Sequence, residues 1–177
     1  FSFCGVGAHH QNPITEHGNR TVVELAHTML LEAHSMWPKE IDFGLWPFAV
    51  RMAVDVYNNT PQKRHNYLTP NEVFAGFTKN PENTKQTLHT FHPFGCIVYV
   101  LDNKIAAGKK FPKWESKSRQ AINIGHSRYH AQTVHWILDK STKYISAQYH
   151  LAFDDTFSTT DLTSKNVTDA SLNELLK

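Results

Sequence analysis

The feature that most restricts what this 177-residue chain can fold into is a change of hydrophobic period at Phe94-Gly95. Before that point apolar residues recur every three or four positions, as on one face of a helix. After it they come in short extended runs rich in β-branched and aromatic residues. Helices followed by strands, rather than alternating with them, predict an α+β protein. From Glu16 to Ala33 the helical steps fall on Val22, Leu25, Ala26, Met29, Leu30 and Ala33, and Pro38 closes the segment. Leu45, Phe48, Ala49, Met52, Ala53, Val56 and Tyr57 predict a second helix over about residues 45–57, ending in Asn58-Asn59-Thr60-Pro61. Thr69-Pro70-Asn71-Glu72 combines a capping box with proline at the first helical position, so a short third helix is expected over about residues 71–75, before Gly76. The polar run 78–87 reads as a linker.

Four extended runs follow: Cys96 to Leu101, Ala121 to Ile124, Thr133 to Leu138 and Tyr144 to Phe153. The stretch from Trp136 to Ile145 reads as a hairpin around a polar loop, and the set predicts a small β-barrel. Past Asp155 the chain turns Ser/Thr/Asp-rich, with only Ala170 to Leu176 hinting at a frayed helix. No internal repeat appears. A hydrophobic content of 40% with 12% aromatics is enough for a buried core. No stretch approaches the ~18 apolar residues of a membrane span. The start, Phe1-Ser2-Phe3-Cys4, has neither Met nor the order of a signal peptide and suggests a piece of something longer. Cys4 and Cys96 lack metal spacing, so both are expected as free thiols in a reducing compartment.

The net charge of +2 is unevenly spread: residues 1–90 carry −1, residues 91–160 carry +4 and residues 161–177 carry −1. Its densest part, Gly108 to Arg119, sets the cations Lys109, Lys110, Lys113, Lys117 and Arg119 around Phe111 and Trp114, with Glu115 the single acid. Basic groups interleaved with rings suit a phosphate backbone with stacked bases. The same residues would also serve as an ordinary solvated loop with Phe111 and Trp114 folded inward.

Gln11-Asn12-Pro13-Ile14-Thr15-Glu16-His17-Gly18-Asn19-Arg20-Thr21 resembles the end of the integrase core of copia-type retrotransposons, whose pattern there is Gln-Asn-Gly-x-Ala-Glu-Arg-x-Asn-Arg-Thr. Pro13, Thr15 and His17 depart from it. The resemblance continues in order through Thr28-Met29-Leu30-Leu31, Leu45-Trp46-Pro47, Thr69-Pro70-Asn71-Glu72 and His92-Pro93-Phe94-Gly95-Cys96-Ile97-Val98-Tyr99-Val100. It ends with Lys110-Phe111-Pro112-Lys113-Trp114, Ser118-Arg119 and Phe153-Asp154-Asp155. It implies that residues 1–90 are the C-terminal helices of a truncated RNase H-like integrase core. Residues 91–158 would be a Src-homology-3-like β-barrel, and 159–177 a polar tail.

The resembled enzymes cut and join DNA with two divalent ions, magnesium or manganese, held by two aspartates and a glutamate. Glu16 takes the place of that glutamate, as catalytic and metal-binding residue; as the simplest alternative it is a first-turn glutamate favoured by the helix dipole. The fifteen residues before it contain no Asp or Glu, so the metal site would need carboxylates from elsewhere, and this chain alone is expected to bind none stably. DNA contacts are expected from Gln11, Asn12, Asn19 and Arg20, with Arg20, four residues after Glu16 on the same helix face, equally suited to an intrahelical ion pair with that glutamate. His9, His10 and His17 lack a zinc spacing and read as surface histidines, and Asp154-Asp155 reads as a turn. The resemblance implies DNA as partner, with self-association or the rest of a polyprotein as further partners, no membrane, and the nucleus as compartment. Two readings of other classes stand beside integrase: a non-catalytic module binding nucleic acid or protein, and an inert relic whose helices expose apolar faces.

Overall fold

The computed structural model describes residues 13–78, 91–102, 105, 108, 110 and 112–159. The chain is α+β, with three α-helices followed by a five-stranded antiparallel sheet among the described residues. It divides into two compact units, Phe1–Phe94 and Gly95–Lys177. No helix among the described residues is long and apolar enough to cross a membrane.

In the first unit α1 spans Pro13–Met36, starting on a proline whose missing N–H costs nothing in the first turn. Its buried positions Ala26, Leu30 and Ala33 are spaced by four and three, and it packs against α2, Trp46–Asn59, through Ala49, Met52 and Ala53 on the facing stripe. Alanine at four of these six positions keeps the side chains short where the helices meet. Between the helices, His34 Nδ1 lies 2.7 Å from the Ile41 carbonyl oxygen, so that nitrogen carries the proton and donates. Asp42 then accepts from the Gly44 backbone N–H at 2.6 Å, capping a 3-10 turn at Phe43–Leu45.

The third helix, α3, spans Pro70–Thr78, so it runs through Gly76 instead of stopping before it. Its start is the expected capping box: the Thr69 N–H donates to the Glu72 carboxylate at 2.7 Å, and the Glu72 N–H donates to the Thr69 hydroxyl at 3.2 Å. Those bonds hold the Glu72 carboxyl below its ordinary range, the Thr69 backbone bond first. Buried Asn59 donates to the Asp55 carbonyl at 2.8 Å and accepts from Asn71 at 3.2 Å, which ties the end of α2 to the start of α3. Most of the linker expected over 78–87 lies outside the described residues.

The sheet contains β1 (Ile97–Leu101), β2 (Ser118–His126), β3 (His135–Asp139), β4 (Ile145–Gln148) and β5 (Leu151–Asp154), in the order β4-β3-β2-β1-β5. The run expected as one strand from Tyr144 to Phe153 is two strands, separated by Tyr149 and His150. These two residues carry the chain from one edge of the sheet to the other. In a flat sheet those edges would stand four strand spacings apart, roughly 19 Å, whereas three Cα steps reach at most about 11 Å. The sheet therefore curls strongly, though among the described residues its edge strands β4 and β5 do not pair with each other and it is not a closed barrel.

β2 supplies the bend. It pairs with β1 through Ser118 to Ile122 and with β3 from Ala121 onward, with a register shift between Asn123 and His126. Gly125 lies inside that shift at φ 113°, a conformation a side chain would oppose. Along the sheet Val98 stands opposite Ala121 on one side and Phe153 on the other, and Val100 opposite Leu151. With Ile137 these residues form one apolar cluster.

Candidate functional site

Glu16 sits in the first turn of α1 with its side chain in solvent, where the unpaired N–H groups of a helix start favour a carboxylate. Asn19 and Arg20, one turn on, are also exposed. Arg20 forms an intrahelical ion pair, with Glu24 one turn further on, where its spacing from Glu16 suggests that residue as partner; its Nε donates to Glu24 at 2.9 Å. Gln11 and Asn12 lie outside the described residues, as do His9 and His10. Magnesium takes about six oxygen ligands, usually one or two carboxylates together with waters and substrate phosphate oxygens. Glu16 offers one of the three carboxylates that the resemblance implies, with a cation four residues along the same face. Among the described residues no group of three His, Cys, Asp or Glu side chains is placed to hold a metal.

The remaining candidates lie in the second unit. Lys110, Lys113 and Lys117 are exposed, while Lys109 and Phe111 lie outside the described residues. Trp114 is 91% exposed, which removes the inward-folded alternative for this ring. Lys113 Nζ stands 5.3 Å from its centroid, a cation held over a π face. The loop beneath them is fixed at its ends: Glu115 N–H donates to Pro112 O at 3.3 Å, Ser116 Oγ to Ser118 O at 2.7 Å, and Asp102 N–H to Lys117 O at 3.0 Å. A tethered loop presenting an indole beneath one lysine, with two further exposed lysines nearby in sequence, can meet a polyanion and a flat base together.

Arg119, at the start of β2, is engaged differently, forming an ion pair with Asp139 at the end of β3. Asp139 also accepts from Ser141 Oγ at 2.7 Å and from the Ser141 and Thr142 N–H groups at 3.0 Å. The Ser141 hydroxyl first, then those N–H groups, and last the Arg119 charge, hold its carboxyl at about 2. Asp154 closes the comparable turn after β5, accepting from Thr156, Ser158 and Thr159; the Thr159 hydroxyl and N–H first, then those of Ser158, keep its carboxyl well below the ordinary range.

Inside the sheet unit Asn123 ties neighbouring segments together. Asn123 is fully buried; its backbone bonds Gly95 and Cys96, and its side-chain oxygen accepts from Gly125 N–H at 3.2 Å and His135 Nδ1 at 3.3 Å. Cys96 is a free, fully buried thiol, pushed up to about 12 by burial and then by the nearby Asp155 charge. Cys4 lies outside the described residues.

Sequence reasoning missed a cleft of about 520 Å³ in the first unit, between the early part of α1, the end of α2 and the turn that follows. Its helical wall is the stripe His17, Thr21, Leu25, and Val56 and Tyr57 line the opposite side. Lys63 and Arg64 line its other end, in a 3-10 turn at Lys63–His65. The three consecutive residues Lys63-Arg64-His65 were the available signal. The cleft itself is assembled from residues nearly fifty positions apart and has no signature in sequence. No protein-family model, no curated protein and no solved structure matches the chain.

Proposed function

We propose that the chain is a nucleic-acid-binding piece of a copia-type retrotransposon integrase, with DNA as its partner and the nucleus as its working compartment. The ordered resemblance from Gln11 to Asp155 supports the family. The observation that carries the binding is Trp114, standing in solvent under the Lys113 ammonium with Lys110 and Lys117 on the same exposed segment. For the finer fold, the helices are the end of an RNase H-like core. The curled sheet, whose last strand pairs with its first, is a Src-homology-3-like unit left open at its edges.

Binding without catalysis is the form of this reading that the chain supports by itself, because Glu16 is one carboxylate where the resembled reaction needs three. Strand transfer belongs to this chain only where a longer parent or another chain brings two further aspartates to Glu16.

The test is retention of a fluorescent duplex by the full chain at neutral pH across a salt series. Replacing Lys113 and Lys117 by Gln should flatten the dependence of log K on log salt by about 1 to 2 units, and Trp114→Ala should weaken single-stranded more than duplex binding. Glu16→Gln should leave retention unchanged. Binding indifferent to Lys113, Trp114 and Lys117 would sink the reading.

A further inference from the structure

We infer that the cleft between α1 and α2 is a nucleotide subsite, taking one base of a single-stranded DNA segment against Val56 and Tyr57 with its phosphate on Arg64 and Lys63. The inference rests on the nucleic-acid reading for the identity of the ligand and not for the existence of the site.

Four observations converge on it. The cleft volume, about 520 Å³, falls within the ~300–1,000 Å³ range of small-molecule sites. Its charge is one-sided: Lys63 and Arg64 line it and, among the described residues, no Asp or Glu does. The Arg64 guanidinium is already set in place, donating from Nε to Gln62 Oε1 and from a terminal nitrogen to the Tyr57 hydroxyl, each at 2.7 Å. Those bonds use two of five donors and fix the plane, which suits two-pronged recognition of a phosphate.

The fourth observation is backbone strain directly after the basic turn. Asn66 and Tyr67 both hold positive φ, 54° and 64°, and Tyr67 is 70% exposed. Asparagine tolerates that conformation, but a tyrosine there is costly, and strain of this kind is retained where a group must be presented in a set place. Here it holds an aromatic ring out in solvent three residues from Arg64, available to stack on a neighbouring base.

The cleft is also distinct from the Glu16 face. His17, Thr21 and Leu25 make one stripe of α1, and Glu16, Arg20 and Glu24 make the next, about 100° around the axis. A strand seated in the cleft would thus run beside the carboxylate without displacing the Arg20–Glu24 pair.

The experiment is a titration of the full chain with a single-stranded oligothymidylate of eight nucleotides, followed by NMR at Val56 and Tyr57 and by fluorescence anisotropy. Arg64→Gln changes an exposed side chain, and Val56→Phe fills the cleft; circular dichroism melts check that each variant folds. Expected are shifts at Val56 and Tyr57 with the oligonucleotide, and affinity weakened about ten-fold by either variant, while Lys113→Gln leaves those shifts in place. Loss of binding in Lys113→Gln or Trp114→Ala with no effect of Arg64→Gln overturns the inference and leaves the proposed function standing. Cleft shifts that persist in a chain whose affinity ignores Lys113 and Trp114 support the inference and overturn the proposed sheet-loop site. Absence of shifts at Val56 and Tyr57 at saturating oligonucleotide overturns the inference outright.

Discussion

Arg119 on β2 donates to the carboxylate of Asp139 on β3, and that carboxylate also gathers the hydroxyl and N–H groups of the turn leading into β4. One side chain therefore fixes both the pairing of two strands and the shape of the hairpin that follows. It draws Arg119 toward the fold, while Lys110, Lys113 and Lys117 stay in solvent.

Asp139→Ala should destabilise the sheet unit by about 2 kcal/mol, since it removes one ion pair and three turn bonds at a mostly covered carboxylate. The pH dependence has a defined sign. The carboxyl is lowered from 3.8 to about 2 in the folded chain, so its contribution is complete above the unfolded value and is lost as pH falls from 3.8 toward 2. Denaturant unfolding of the wild type and of Asp139→Asn between pH 2 and pH 6 checks this. The two curves should converge at the acid end and separate above pH 4.

Two glycines of the helical unit should respond to alanine with opposite signs. A Cβ on Gly18 would meet Tyr57 Oη at 3.6 Å, an ordinary contact, and the residue lies inside α1, so Gly18→Ala should stabilise by about 0.5–1 kcal/mol. A Cβ on Gly44 would stand 2.7 Å from Asp42 Oδ1, the atom that caps the Gly44 N–H. Gly44→Ala must break that cap and should cost about 1 kcal/mol. Thermal melts read by far-ultraviolet circular dichroism would show one midpoint rise and the other fall.

The Cys96 thiol should resist iodoacetamide at pH 8 in the folded chain and react once the chain is unfolded in guanidinium, with peptide mapping as the readout. Its folded value is raised from 9.0 to about 12, so its contribution to stability is intact below pH 9 and is lost as pH climbs toward 12. Prompt native-state alkylation at this position would contradict its burial.

The sequence carried the helices better than the strands, for physical reasons visible in single residues. Ala26, Leu30 and Ala33 repeat the helical period, and Thr69 with Glu72 form a local cap, so both were readable within a few positions. Gly76 was misleading as a stop, because a glycine inside a short helix costs only about 1 kcal/mol and α3 tolerates it. The division of the run from Tyr144 to Phe153 was hidden, since neither Tyr149 nor His150 is a turn residue. The break is imposed by the sheet, which needs β5 beside β1. At the candidate site, Glu16 and the lysine loop were legible as residue types in a pattern, whereas the exposure of Trp114, the pairing of Arg119 and the cleft all depend on tertiary placement. Tyr67 shows the limit plainly: no propensity assigns a positive φ to a tyrosine.

Because β5 closes against β1, the residue that opens the sheet, Ile97, is the direct antiparallel partner of Asp154, the residue that ends it, and their Cα atoms lie only about 5 Å apart. A polypeptide that starts and finishes its sheet at one spot behaves as a cassette. Such a cassette can be carried as a side loop of a longer chain, or moved between chains, while the flanking segments on either side keep the same spacing they would have without it.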